Sequence, residues 1–168
     1  RKNRWQYSAD AFKKFLDQYP EHPRATMARL YYGLSLNSLE KYVESREQLQ
    51  LFVKADPRNR YAPDARYRIA EDSYYLKNYA EAITEFGDYL TDHPGHELNA
   101  WARLLQGESH NRLKGFVEAE AVLRPLIALP PPANILADSN YALAEALQGQ
   151  SKLKEAADLY ETIAEMKS

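Results

Sequence analysis

The chain has no cysteine, so it holds no disulfide and no thiolate metal site. That absence is compatible with both a reducing and an oxidising compartment. It has no apolar run near 18 residues, and therefore no predicted membrane-spanning helix, and it shows no signal-peptide pattern. Glycine is scarce, at six residues in 168, and no glycine-rich phosphate loop or Gly-x-Ser-x-Gly elbow occurs. Charge is nearly balanced at a net -2, without the clustered basic surface that nucleic-acid binding requires. Strand-like alternation is also missing, which together with 45% hydrophobic content points to an all-α chain with a sizeable core.

What is present is a period. Pro20, Pro57, Pro94 and Pro131 recur every 37 residues, and Ser168 falls on the same register. A fixed spacing of this size is the mark of stacked helical or strand units that bury their apolar faces only against their neighbours. Fifteen residues before each mark stand Trp5, Tyr42, Tyr79, Phe116 and Leu153, and three residues further on Ser8, Ser45, Ala82, Ala119 and Ala156. Phe12, Leu49, Phe86, Leu123 and Tyr160 follow, then Phe15, Phe52, Tyr89, Leu126 and Ile163. An aromatic, a small and two large residues at spacings of three, four and three make one face of an amphipathic helix, designated helix B. Ahead of it, small residues at Ala28, Ala65, Ala102 and Ser139, and at Gly33, Ala70, Gly107 and Ala144, let a helix A pack closely on its own helix B. Leu39, Leu76 and Leu113 close helix A. The turns are Glu40-Lys41, Lys77-Asn78, Lys114-Gly115 and Ser151-Lys152.

These residues carry a family resemblance. The stretch from Pro63 to Pro94, with Ala65, Ile69, Ala70, Tyr79, Ala82, Phe86 and Pro94 in order, resembles a tetratricopeptide (TPR) repeat, a helix–turn–helix of about 34 residues. The extra residues of each unit fall after the proline, at His22-Pro23-Arg24, Arg60-Tyr61-Ala62 and Glu97-Leu98-Asn99, and predict that each helix A starts about one turn early. Tyr19-Pro20-Glu21-His22-Pro23 and Ala62-Pro63-Asp64-Ala65-Arg66-Tyr67 are similar to the long TPR units of bacterial cell-envelope proteins, of the outer-membrane assembly lipoprotein and Tol-associated cell-division coordinator types. The resemblance implies an α-α superhelix, a TPR-like solenoid, as one domain over 1-168. Its repeats would run over about 1-20 (helix B only), 21-57, 58-94, 95-131 and 132-168, giving nine helices wound to the right. It favours the periplasm or cell envelope over the cytoplasm.

In TPR folds helix A lines a concave groove, at its second, fifth, ninth, twelfth and thirteenth positions. Carried over, those are Met27, Leu30, Leu34, Asn37 and Ser38; Asp64, Tyr67, Glu71, Tyr74 and Tyr75; Trp101, Leu104, Glu108, Asn111 and Arg112; and Asp138, Tyr141, Glu145, Gln148 and Gly149. Tyr67 and Tyr141 have two readings, as groove residues or as packing between adjacent helices. Tyr74, Tyr75 and Trp101 are expected in the groove, with the Trp101 side chain facing outward. Glu71, Glu108 and Glu145 share one repeat position, opposed only by Arg112, and such a ladder repels acidic ligands. The carboxylate grip of chaperone-binding TPR domains does not carry over, because Asp64 and Glu71 stand where those domains place lysine and asparagine. A basic, apolar peptide or protein is the expected partner. The alternative function is a structural spacer or assembly module acting through its end faces.

An enzyme finds no support in these residues. His93-Pro94-Gly95-His96 places two imidazoles within reach of one ion, but no carboxylate or third histidine joins them at a recognisable spacing, and polar residues beside proline are ordinary in a loop. His110 reads as a packed histidine. No metal or cofactor is implied. The sequence opens on Arg1 rather than Met, and Arg1-Lys2-Asn3-Arg4 reads as a turn before a helix B that has no helix A. With helix B from about Leu153 to Met166 also uncapped, Trp5, Tyr7, Leu159 and Met166 are expected to expose apolar surface and to favour self-association.

Overall fold

The computed structural model describes residues 2–129, 131 and 133–166; Arg1 of the expected first turn and Ser168 of the 37-residue register lie outside them. Nine helices and no strand occur among the described residues. They are α1 (Lys2–Gln18), α2 (Ala25–Ser38), α3 (Tyr42–Ala55), α4 (Ala62–Tyr75), α5 (Tyr79–Asp92), α6 (Asn99–Arg112), α7 (Phe116–Ala128), α8 (Ala133–Gly149) and α9 (Leu153–Glu165). The even-numbered helices are type A and the odd-numbered ones type B. Lys2, Asn3 and Arg4 lie inside α1, so the turn expected there is corrected to helix. Lysine and arginine are good helix formers, and no glycine or proline interrupts the run.

All four A-to-B turns use one device. Glu40, Lys77, Lys114 and Ser151 are left-handed, with φ between 61° and 63°. In the first turn the Lys41 N–H donates to the Leu36 carbonyl and the Glu40 N–H to the Asn37 carbonyl, both at 2.9 Å. The same pair recurs as Asn78 to Ser73 with Lys77 to Tyr74, Gly115 to His110 with Lys114 to Asn111, and Lys152 to Leu147 with Ser151 to Gln148. These Schellman caps satisfy helix-end carbonyls that otherwise lack a partner. In the third turn the left-handed residue is Lys114, while Gly115 has a φ of -79°.

The B-to-A loops also repeat. His22 Nδ1 accepts from the Arg24 N–H at 3.0 Å, Asn59 Oδ1 from Tyr61 at 3.0 Å, and His96 Nδ1 from Leu98 at 3.4 Å. Side-chain acceptors of this kind fix the chain before a helix start. His22-Pro23-Arg24, Arg60-Tyr61 and Glu97-Leu98 thus lie in turns while Ala62 and Asn99 open α4 and α6, so α2, α4 and α6 do not start a full turn early. Only α8 does, at Ala133.

Two compact units divide the chain, residues 1–78 with α1 to α4 and residues 79–168 with α5 to α9. In the first, Leu30, Leu49, Phe52, Ala65 and Ile69 form a core, and a second group joins Leu16, Ala25 and Ala28. In the second, Leu104, Leu123, Leu126, Ile135, Leu143 and Leu147 form the core with Ala119, Ala142, Ala146 and Ala156. Each large side chain buried here is worth roughly 1.5–3 kcal/mol. The small positions of helix A act as read from the sequence. A Cβ on Gly33 would lie 2.7 Å from Leu49, and one on Gly107 2.5 Å from Leu123, so α2 meets α3 and α6 meets α7 at near backbone-to-side-chain distance.

Candidate protein-binding face

In the second unit α6 and α8, the two A helices, pack side by side. Asn111, near the C-terminal end of α6, donates from Nδ2 to the Ala142 carbonyl of α8 at 2.8 Å. That bond leaves Asn111 8% exposed and fixes the pairing of the two helices. Of the residues carried over from the groove positions, α6 contributes Trp101, Glu108, Asn111 and Arg112, and α8 contributes Tyr141 and Glu145. Tyr141 is 51% exposed, its ring meeting Tyr160 edge-on at 5.9 Å, and the Tyr160 hydroxyl donates to Gln148 Oε1 at 3.2 Å. Arg112 is exposed, and Glu108 and Glu145 are half-buried at one register of neighbouring helices. Trp101 differs from expectation. It is half-buried and packs against the Leu104–Leu123–Ile135 core instead of facing fully outward.

In the first unit the corresponding face, on α2 and α4, is tied shut by polar contacts. Tyr67 is 3% exposed and Glu71 8% exposed, so neither is a free surface residue, and of the two readings of Tyr67 the packing one describes it. The Tyr67 hydroxyl donates to Glu71 Oε1 at 3.3 Å, and Arg68 Nη1 reaches Glu71 Oε2 at 2.6 Å. Burial, then the Glu71 charge, raises the Tyr67 phenol far above its ordinary range. Asn37 Nδ2, from α2, donates to Glu71 Oε2 at 3.2 Å and to Asp72 Oδ1 at 2.7 Å. Glu71 is therefore a salt-bridged, buried carboxylate, which corrects its reading as an acidic rung opposed only by Arg112. Tyr75 is 48% exposed but stacks on Tyr42 of α3 at 4.9 Å and 16°, and Tyr74 is half-buried beside it, edge to face at 5.4 Å. Asp64 is half-buried in the first turn of α4.

At the thirteenth position of helix A, Tyr75 and Gly149 are packing sites, whereas Arg112 is exposed. Tyr42 covers Tyr75, and Phe116 so closely covers Gly149 that a Cβ there would lie 2.4 Å from its ring.

The histidine loop and the ends fall out as follows. His96 Nδ1 accepts from the Leu98 N–H and lies 2.7 Å from the hydroxyl of buried Tyr89, which donates to it. Among the described residues no group of three or more histidine, cysteine or acidic side chains is placed to hold a metal ion, and no helix is long and apolar enough to cross a membrane. Burial lowers the His110 pKa, as befits a packed imidazole. Trp5, Tyr7 and Met166 are exposed, whereas Leu159 packs partly on the core. A groove of about 450 Å³ opens between α1 and α2, lined by Phe12, Phe15, Met27 and Tyr31.

Asp72, Arg46 and Arg68 were not singled out by sequence reasoning. A signal existed for the first of them, since Asp72 occupies the 37-residue register of Ser35 and Ser109, both buried, where a carboxylate is out of place.

Family models described as tetratricopeptide repeats match residues 1–60 and 64–96. No curated protein matches the sequence. Among solved structures the chain is similar to MamA, with a TM-score of 0.80 at 17% identity, covering 99% of this chain and 90% of that one. It is also similar to MamA 41-end from Desulfovibrio magneticus RS-1, at 0.75 and 14%, covering 97% and 94%. The nearly identical TPR-like repeats of a putative kinesin light chain from Podosopora anserina give 0.75 and 14%, covering 98% and 87%. At these identities the likeness speaks for the fold, an all-helical TPR-like solenoid. The register of the helices, the two family matches and the shared fold lead to one conclusion: the chain is built of tetratricopeptide repeats.

Proposed function

We propose that the chain is a protein-interaction scaffold whose A-helix face in the second unit, on α6 and α8, takes an extended basic, apolar segment of a partner. TPR proteins generally mediate protein–protein interaction, and the proposal assigns that general role to a particular face. The observation that carries it is the Asn111–Ala142 bond, which sets α6 beside α8 with exposed Tyr141 next to the register shared by Glu108 and Glu145. An exposed tyrosine offers large contact area at low rotamer cost, and neighbouring carboxylates favour a cationic ligand over an anionic one. The first-unit residues Asp64, Tyr67, Glu71, Tyr74 and Tyr75 are not part of this face. The resemblance of residues 19–23 to envelope TPR units makes a bacterial cell-envelope protein our reading of its setting.

The test is a titration of the whole chain with labelled basic-apolar peptides, following Trp101 fluorescence, for the native chain and for Tyr141→Ala. Binding that weakens with added salt and drops about tenfold or more in the variant supports the proposal. Affinity indifferent to both contradicts it.

A second reading has its own observation. The apolar groove between α1 and α2 leaves Phe12 and Phe15 half-buried, whereas their counterparts Leu49, Phe52, Leu123 and Leu126 are buried. A chain that assembles through this face self-associates in sedimentation, and Phe12→Lys abolishes the effect. A chain that remains monomeric at millimolar concentration argues against this reading.

A further inference from the structure

The groove between neighbouring B helices has a polar lining in one unit and an apolar one in the other. Between α1 and α3, over α2, it is lined by Lys13, Leu16, Asp17, Arg29, Tyr32 and Gln48. Lys13 pairs with Asp17 at 2.7 Å, and Arg29 Nη1 donates to Gln48 Oε1 at 3.4 Å, so polar side chains occupy the opening. Three 37-residue periods later, Arg124, Ile127, Ala128, Leu143 and Leu159 take the registers of Lys13, Leu16, Asp17, Tyr32 and Gln48. A methyl group thus stands for the Asp17 carboxylate, and an isobutyl group for the Gln48 amide. The register of Leu143 is polar elsewhere, as Tyr32 in α2 and as Gln106 in α6, whose Nε2 donates to the Ile83 carbonyl at 3.1 Å.

These replacements leave an apolar slot of about 470 Å³ between α7 and α9, over α8. Buried Leu143 and Leu147 of α8 form its floor, Ile127 and Ala128 of α7 one wall, and Leu159 of α9 the other. At the rim, Arg124 Nη2 donates to Glu155 Oε2 at 2.7 Å, which neutralises Glu155. Asp158, also at the rim, is exposed. Its carbonyl accepts from the Thr162 hydroxyl, whereas its carboxylate makes no hydrogen bond or ion pair among the described residues. From Glu155 to Met166, α9 bears Glu155, Asp158, Glu161 and Glu165 and no basic residue. Spacings of three and four residues put Asp158, Glu161 and Glu165 on one side of the helix.

We propose that this slot is a docking surface of its own, taking one large apolar side chain of a partner protein segment with a lysine or arginine beside it. The apolar group lies on Leu143 and Leu147, where it removes water from an apolar surface. The neighbouring cation meets Asp158, and Glu161 and Glu165 add charge of the same sign to the field that draws it in. An acidic flank is repelled by the same three carboxylates, so charge selects among apolar segments. The slot does not depend on the face of α6 and α8. Tyr141 and Leu143 are two positions apart, which places them about 200° from each other around α8.

Methyl NMR of the whole chain, titrated with a peptide in which one leucine is flanked by lysines, tests the proposal. The Ile127, Leu143 and Leu159 methyl signals are expected to shift, and to shift as far in Tyr141→Ala, which separates this site from the face on α6 and α8. Asp158→Lys is expected to weaken the binding read from those signals by about tenfold or more. Ala128→Asp with Leu159→Gln, which copies the first-unit lining, is expected to abolish the shifts. Should that double variant fail to fold, Asp158→Lys decides, because it alters an exposed side chain only. Methyl signals that stay in place overturn the proposal, as does Asp158→Lys binding as tightly as the native chain. So does an equal response to a glutamate-flanked peptide or to one with serine for leucine, or a shift with chain concentration alone, which would mean a second copy in the slot.

Discussion

Gly107 has no room for one more carbon. Its absent Cβ would stand 2.5 Å from Leu123, and that of Gly149 2.4 Å from the Phe116 ring. Gly107→Ala should therefore destabilise the second unit by about 1–3 kcal/mol in denaturant unfolding, the usual cost of overpacking, and Gly149→Ala by a similar amount. Lys77 presents the opposite case. Its left-handed backbone crowds the Cβ, so Lys77→Gly should stabilise the first unit by about 1 kcal/mol, less the entropy that glycine restores to the unfolded chain. The glycines at 33 and 107 were legible because a 37-residue period aligns them with Ala70 and Ala144. The fate of Tyr67, Glu71 and Asp72 was not. Whether a polar residue on helix A is exposed depends on which side chains reach it from two other helices, and Asn37, Ser45 and Arg68 are decided by packing that the period does not contain.

At the scale of helices, α7 and α9 are joined by charge as well as by their cores. Glu120 of α7 accepts from Arg124 at 2.6 Å, and from Lys152 and Gln150 at 2.7 Å, while Arg124 also reaches Glu155 of α9 at 2.7 Å. The Lys152 hydrogen bond is the largest influence on the Glu120 carboxyl, which is held down to about 2. A carboxyl lowered in the folded state contributes stability that is present above its unfolded pKa and is lost as pH falls through the folded value. Acid unfolding of the second unit between about pH 4.5 and pH 2 should weaken it accordingly, and Glu120→Gln should remove about 1 kcal/mol at neutral pH while flattening that acid limb. Helix ends were the most legible elements. Leu39, Leu76 and Leu113 do cap helix A, because the turn dipeptides after them leave the helix in the same Schellman geometry each time. The starts were less so, since side-chain acceptors at His22, Asn59 and His96 hold the post-proline residues in turns that length alone reads as helix.

For the whole molecule, the period sufficed for the fold class, because stacked helical hairpins are one way for many small amphipathic faces to share a core. It did not suffice for the binding face. Of the groove positions carried over by resemblance, Tyr67 and Glu71 on α4 are buried, with Glu71 tied to Asn37, whereas Arg112 on α6 and Tyr141 on α8 are exposed. The scaffold reading rests on that second set. Its most direct test is the affinity of the full chain, native and with Glu108→Lys and Glu145→Lys together, for one basic-apolar and one acidic-apolar peptide of equal length. The native chain should prefer the basic peptide, and the charge-reversed chain should lose about tenfold or more for it while gaining affinity for the acidic one. Equal binding of both peptides by both chains would show that the face on α6 and α8 is not where the partner sits.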